Sequence, residues 1–86
     1  MSGTWLVYLL RCSDGKIYTG VTNDLEKRIA AHNRGDASRF TRARLPVTLI
    51  DASRPMPKAE AFRLEYRIKR LPRARKTAAL KEAGSG

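Results

Sequence analysis

The sequence predicts an α+β fold: a small three-stranded, mostly antiparallel sheet flanked by helices, in the order ββαβαα. Three observations predict it. Two short apolar runs flank Ser13-Asp14-Gly15, a hairpin signal, and strands joined by so tight a turn run antiparallel. One further strand-like run, Val47–Asp51, stands alone between stretches that carry helix start and stop residues. Finally, a chain of 86 residues buries only about 60–65% of its unfolded surface, so one sheet with two or three helices nearly exhausts its core.

The elements follow in order. The first strand is expected over roughly Trp5–Cys12 and the second over Lys16–Val21. A first helix starts near Thr22-Asn23-Asp24, where Asn23 caps and Glu26, three residues on, reaches back as in a capping box. It runs to Asn33 or Arg34, and Gly35 is a natural residue just past a helix end. Residues 35–46, GDASRFTRARLP, read as a loop. Val47–Asp51 forms the third strand. A second helix covers Pro57–Leu71, since proline suits a first helical turn. Pro72 ends it or opens a third helix over Arg73–Glu82. Residues 1–82 form one domain, and 83–86 are expected to be a frayed tail. There is no internal repeat.

Charge narrows the partners. Lys and Arg number 18 against 8 Asp and Glu, a net charge of +10 on a small body. Such an excess calls for a polyanion, and nucleic acid is the default, bound by phosphate neutralisation and counterion release. The bland alternatives are a merely soluble basic protein or a membrane-surface binder. Cys12 is the one cysteine, which excludes an internal disulfide and a cysteine-based zinc site, and it reads as a small buried hydrophobe. The N-terminus lacks a charged segment followed by a long apolar stretch, and no apolar run approaches ~18 residues. A reducing cytoplasm is the expected compartment.

Some residues sit where packing alone would not put them. In the second helix Ala61, Leu64, Ile68 and Leu71 form the apolar stripe, and Glu65 falls beside it, whereas Glu60 lies toward the polar flank. A carboxylate facing the core must be paired, protonated or bound to a cation. Glu65 therefore either pairs with an arginine or supplies a hard oxygen ligand to Mg²⁺ or Mn²⁺. In the first helix Arg28 and His32, the only histidine, share a face. Either His32 is a satisfied helix-end residue or it does chemistry. Tyr8 and Tyr18 each occupy the middle of a hairpin arm. A strict two-residue turn would pair residues summing to 29 and set the phenols on opposite faces. A three-residue loop would pair residues summing to 28, Tyr8 with Gly20 and Leu10 with Tyr18, and put both phenols on one face. A shared site needs the second register.

These residues together resemble the GIY-YIG nuclease superfamily, in particular its small stand-alone bacterial members. The resemblance rests on Tyr8 in Leu6-Val7-Tyr8, on Tyr18-Thr19-Gly20, on Asp24–Arg28 with His32-Asn33, and on Ala61–Glu65 with Ile68–Leu71, and it covers about residues 5–80. One departure is visible: Leu6 stands where the family has its first glycine. The resemblance implies an endonuclease cleaving DNA by divalent-metal-assisted phosphodiester hydrolysis. Catalytic roles would fall on Tyr8, Tyr18, Arg28, His32 and Glu65, with Glu65 holding one Mg²⁺ or Mn²⁺ ion. Tyr8, alone or with His32, would deprotonate the attacking water, and Arg28 would lower the phenol's pKa and offset phosphoryl charge.

The remaining basic residues divide naturally. Arg39, Arg42 and Arg44, interleaved with Phe40, suit phosphate contact, and Phe40 either stacks on a base or anchors the loop. From Arg54 onward only Glu60, Glu65 and Glu82 oppose a run of lysines and arginines. Lys69, Arg70 and Lys76 are the expected nucleic-acid contacts there. Two other readings compete with a DNA nuclease: a binding module of weak or no activity working with a partner, and an RNA-binding protein.

Overall fold

The computed structural model describes residues 3–85. Its sheet is built around β1 (Leu6–Arg11), with β2 (Ile17–Thr22) on one side and β3 (Thr48–Ala52) on the other, both antiparallel. The central place of β1 follows from its composition. Val7, Tyr8, Leu9 and Leu10 are apolar or aromatic in succession, so both faces of the strand need cover, and all four are buried. Val7 and Leu9 pack with Met56, Ala61, Leu64, Ile68 and Leu80 on one face. Tyr8 and Leu10 pack with Cys12, Val47, Leu25 and Ile29 on the other. Cys12 is the buried small hydrophobe its position suggested.

The hairpin takes the register that a shared tyrosine site requires. Tyr8 pairs with Gly20 and Leu10 with Tyr18. Cys12 and Lys16 close a three-residue loop through Cys12 N–H to Lys16 O (2.8 Å), and Gly15 N–H donates to Cys12 O (2.9 Å). Gly15 has φ +87°, which the third residue of such a loop needs and a side chain would resist.

Helix α1 (Leu25–Asn33) begins one residue later than the predicted cap implies. Asp24, not Asn23, caps it, accepting from Lys27 N–H. The reason lies in β2, which runs on to Thr22. The Thr22 hydroxyl accepts from Asp24 N–H at 3.1 Å, so the donor of the actual cap residue is satisfied from the strand end, a service its N3 residue, Lys27, has no acceptor to give. At the other end Gly35 N–H bonds His32 O and Asp36 N–H bonds Ala31 O, a Schellman closure with Gly35 at φ +85°.

The expected loop 35–46 contains a single helical turn, α2 (Arg39–Arg42), capped by Ser38, whose hydroxyl accepts from Thr41 N–H. Four residues are too few to show a period. β3 lies one residue further on than expected. It skips a register step against Leu9 and Leu10, leaving Ile50 as the extra residue of a bulge that packs into the first core cluster. Helix α3 (Lys58–Lys69) and helix α4 (Arg73–Leu80) cover that same face. Pro57 and Pro72 are their extended N-caps rather than their first helical residues. The chain then continues as a π-helical turn, Lys81–Ser85, from which Ala83 packs on the core. Of the expected tail 83–86, Gly86 lies outside the described residues. No helix among the described residues is long and apolar enough to cross a membrane.

Lys76 departs from its expected role. It is 8% exposed, and its Nζ donates to Ile68 O (2.8 Å) and Lys69 O (3.1 Å), carbonyls of the last turn of α3. Burial, with Lys69 beside it, pushes this ammonium below the ordinary lysine range. Lys76 joins α4 to α3 and is not free to meet phosphate. Replacing it tests that assignment. Lys76→Met, which keeps the apolar stem, should cost about 1–3 kcal/mol in urea unfolding. Lys81→Met on the exposed turn should stay within about 0.5 kcal/mol.

Candidate active site

The second core cluster has a polar centre. Tyr8 is 1% exposed on the central strand, so its hydroxyl must find a partner inside the protein. The partner is His32, the penultimate residue of α1: Tyr8 Oη and His32 Nε2 lie 2.8 Å apart. His32, also 1% exposed, uses its other ring nitrogen on Thr41 Oγ1 at 2.8 Å. Thr41 in turn lies 2.9 Å from Ser38 Oγ. A buried chain of polar groups therefore runs from β1 through α1 to α2. With the Thr41 hydroxyl donating toward Ser38, its oxygen accepts from Nδ1–H. Nε2 then keeps its lone pair, and the Tyr8 hydroxyl donates to it.

Gly20 makes room for this arrangement. It sits directly across from Tyr8, and a Cβ built there would collide with the carbon and oxygen of the Tyr8 phenol and come within 2.9 Å of Tyr18 Cε2. The ring of Tyr8 can lie across β2 only because that residue has no side chain. Tyr18 completes an aromatic cluster, with ring centroids 6.3 Å from Tyr8, 5.0 Å from His32 and 6.1 Å from Phe40.

Arg28 and Glu65 act on this cluster through their charge. Burial pushes the Tyr8 phenol well above its ordinary value; Tyr18 and Glu65 push the same way, and Arg28 opposes them without prevailing. The expectation that Arg28 would bring the phenol toward neutral pH is thus corrected for the resting protein. Removing the ring from water costs the phenolate more than one exposed guanidinium returns. His32 is lowered from its ordinary value, first by burial and then by Arg28. Both members of the pair are therefore neutral near pH 7, linked by a single hydrogen bond.

Of the five residues singled out from sequence, Tyr8, Tyr18 and His32 form one cluster, and Arg28 and Glu65 are near enough for their charge to reach the Tyr8 phenol; the five are graded in exposure. Tyr8 and His32 are buried, Tyr18 and Glu65 are intermediate, and Arg28 faces solvent. Glu65 emerges from the edge of the buried stripe of α3, its side chain 18% exposed, and its Oε2 lies 3.5 Å from Lys69 Nζ. This is a lysine pair within the helix, not the arginine pair weighed from sequence. Among the described residues no group of three His, Cys, Asp or Glu side chains gathers to hold a metal; Glu65 is the carboxylate whose charge reaches the Tyr8 phenol.

The expected phosphate contacts separate. Arg39 and Arg42 are exposed on α2, and Lys69 is exposed beside Glu65. Arg70 is exposed and donates to the Tyr66 hydroxyl. Arg44 is occupied: it pairs with Asp14 at 3.0 Å, donates to Phe40 O at 2.9 Å and lies 4.1 Å over the Phe40 ring. It braces the hairpin turn against α2, and Phe40 anchors that brace. Lys76 is removed from the set by its burial. Thr41 was missed from sequence. The available signal was Ser38 three residues before it, a cap-to-N3 spacing that announces a helical turn.

Comparison with known proteins agrees with this architecture. The sequence profile described as the GIY-YIG catalytic domain matches residues 4–78. A UPF0213 protein of Nitratidesulfovibrio vulgaris is 51% identical over 80 residues, covering 93% of this chain and 73% of the relative. A UPF0213 protein of Halobacterium salinarum is 53% identical over 72 residues, covering 84% of this chain and 94% of the relative. The solution NMR structure of a UPF0213 protein from Bacillus halodurans shares 40% identity, covers 95% of this chain and 86% of that one, and superposes with a TM-score of 0.54. With the catalytic-domain profile spanning both tyrosine strands, α1 and the Glu65 helix, the chain belongs to the GIY-YIG family.

Proposed function

We propose that this protein is a divalent-metal-dependent endonuclease that hydrolyses phosphodiester bonds in DNA with little sequence specificity. The observation that carries this reading is the Tyr8–His32 hydrogen bond set within the charge of both Arg28 and Glu65. A bonded phenol and imidazole, with a guanidinium and a carboxylate whose charge reaches the phenol, supply the parts that phosphodiester hydrolysis needs.

The roles follow from the protonation states. The attacking water would give its proton to the Tyr8 oxygen as the Tyr8 hydroxyl passes its own to His32 Nε2. The resulting imidazolium is held by Thr41 through Nδ1–H. This relay uses a neutral phenol and needs no resting phenolate, which burial forbids. Arg28 would offset charge gathering on the phosphoryl oxygens, and Tyr18 would hydrogen-bond the phosphate or the water. Glu65 fits as the protein's ligand to one Mg²⁺ or Mn²⁺, ions that keep several waters and are commonly held by one or two carboxylates plus substrate phosphate. Such an ion, when bound, would supply Lewis-acid stabilisation of the leaving oxygen. Lys69 sits on the same carboxylate and would release it on metal binding. The +10 net charge supports a polyanionic substrate. We place the activity in the cytoplasm, where a lone thiol such as Cys12 stays reduced.

Cleavage of a labelled panel of single-stranded, branched and duplex DNA, with RNA alongside, tests the proposal. With Mg²⁺ or Mn²⁺ the wild type should cut DNA, and EDTA should stop it. Glu65→Ala should lose about 10²–10³-fold in rate, and Tyr8→Phe about 10²–10⁴-fold, both with DNA binding retained. Binding without cleavage on every substrate would leave the binding-module reading in its place.

The pH dependence has a defined sign. His32 accepts a proton only when neutral, and its folded-state pKa lies below the ordinary ~6.5. Cleavage should therefore rise along a limb centred below pH ~6.5 and be level in His32 terms through neutrality. Stability follows the same direction. The unfolded chain takes up this proton near pH ~6.5 and the folded chain only at lower pH. The His32 contribution is thus full above pH ~6.5 and is lost as pH falls through the folded-state value. Thermal melts followed by circular dichroism should show this loss in the wild type and a flatter profile in His32→Gln.

Thr41 has a positioning role, and Thr41→Val should test it. The change keeps the shape and removes the acceptor for Nδ1–H. Turnover should fall about 10- to 100-fold with the acid limb displaced, and Thr41→Ser should restore both.

A further inference from the structure

The face of α3 beyond Glu65 carries side chains that neither the core nor the proposed relay uses. Lys58, Phe62, Tyr66 and Arg70 recur at four-residue spacing and so form one stripe along the helix. Phe62 is 43% exposed and Tyr66 60%, while Ala61, Leu64 and Ile68 bury the helix's other flank. Two large rings held out in water on one stripe gain nothing from core packing. Trp5 extends the row, its ring centroid 5.7 Å from that of Phe62.

Cations stand at both ends of this aromatic row. Lys58 Nζ lies 5.1 Å from the Trp5 ring centre and 5.8 Å from that of Phe62. The Arg70 guanidinium lies 5.2 Å from the Tyr66 ring centre and donates to its hydroxyl at 2.9 Å. Phe62 and Tyr66 also line an open groove of about 630 Å³ that Arg63 and Arg67 share, with Glu60 its sole carboxylate. The row runs beside the helix residue of the candidate site: Phe62 lies three residues before Glu65, a spacing that makes the two neighbours on the surface of α3.

We propose that Trp5, Phe62 and Tyr66 form a stacking platform for unpaired bases of the DNA strand whose backbone passes Glu65. The inference rests on the nuclease reading and deepens it by naming the substrate class: DNA with a single-stranded segment, as a free strand or as the arm of a branch. Two features select this occupant. The flanking lysine and arginines complement a phosphate backbone. The exposed ring faces need π-faces to meet, which an unpaired base offers and a base sealed inside a duplex does not. Direct stacking tolerates any base, in keeping with low sequence specificity.

Binding measured without turnover tests the platform independently of cleavage. Fluorescence anisotropy in EDTA would compare a dye-labelled single-stranded oligonucleotide with a hairpin duplex, for the wild type and for the exposed-site variant Phe62→Leu/Tyr66→Leu. The variant should lose about tenfold or more in single-strand affinity, with duplex affinity and the salt slope unchanged, since every lysine and arginine remains. Trp5, the single tryptophan, should change its emission when the single strand binds. Unchanged single-strand affinity in the variant, an equal loss for duplex, or light scattering that shows the stripe pairing with a second copy would each overturn the platform. Cleavage of the same oligonucleotides with Mg²⁺ or Mn²⁺ reads the other question. Cutting that persists at full rate in the double variant without single-strand preference sinks the platform alone. Single-strand binding lost in the variant, with no cutting by the wild type, upholds the platform and sinks the nuclease.

Discussion

A phenol buried on the central strand of a small sheet must have its hydroxyl satisfied, and much of this fold is arranged around that requirement. Left unpaired, a buried polar group costs about 1–3 kcal/mol, a large share of the stability of a small domain. Tyr8 meets the demand through His32. That choice transfers it, because a buried imidazole has two nitrogens. Thr41 takes the second, so α2 must fold and close over α1, although its four residues have little intrinsic helical stability. Gly20 is needed on the neighbouring strand so that the ring has somewhere to lie. The need to satisfy one hydroxyl thus ties together β1, β2, α1 and α2, through two hydrogen bonds and the space left at Gly20.

The same burial sets the electrostatic character of the site. Arg28 favours a phenolate and disfavours an imidazolium, yet burial moves Tyr8 up and His32 down and wins in the first case. The result is a neutral pair in a field made by exposed charge. A neutral pair joined by a hydrogen bond is suited to passing a proton without holding a charge at rest. Reactivity in such a site depends on what approaches it, a phosphate or a cation, more than on a preformed base.

The excess of positive charge is not uniform in purpose. Lys76 is spent inside the protein on the carbonyls of α3, and Arg44 on Asp14 and the Phe40 ring. Arg39, Arg42, Lys69 and Arg70 remain at the surface. The division follows local geometry. A lysine two turns from a helix end that packs beneath it finds carbonyls, and an arginine across from a turn aspartate finds a carboxylate. Counting charges along the chain cannot make that distinction, since both kinds look alike in sequence.

How much was legible from sequence follows from the range of each interaction. The hairpin, the strand–helix order, the apolar stripe of α3 and the anomaly of Glu65 all rest on residues within a few positions of one another, and periodicity reports them. The tyrosine register was legible as a choice between two turns; the three-residue loop closed by Cys12 and Lys16, with positive φ at Gly15 but not at Asp14, decided it, and with it the shared face of Tyr8 and Tyr18. The cap expected at Asn23 went to its neighbour Asp24, whose N–H the Thr22 hydroxyl satisfies, a contest within three residues that composition does not settle. The partnership of Tyr8 with His32 and Thr41, the burial of Lys76 and the protonation state of the phenol belong to the tertiary structure alone. Each depends on exclusion from water by segments distant in the chain, and burial of that kind exists only once those segments have packed.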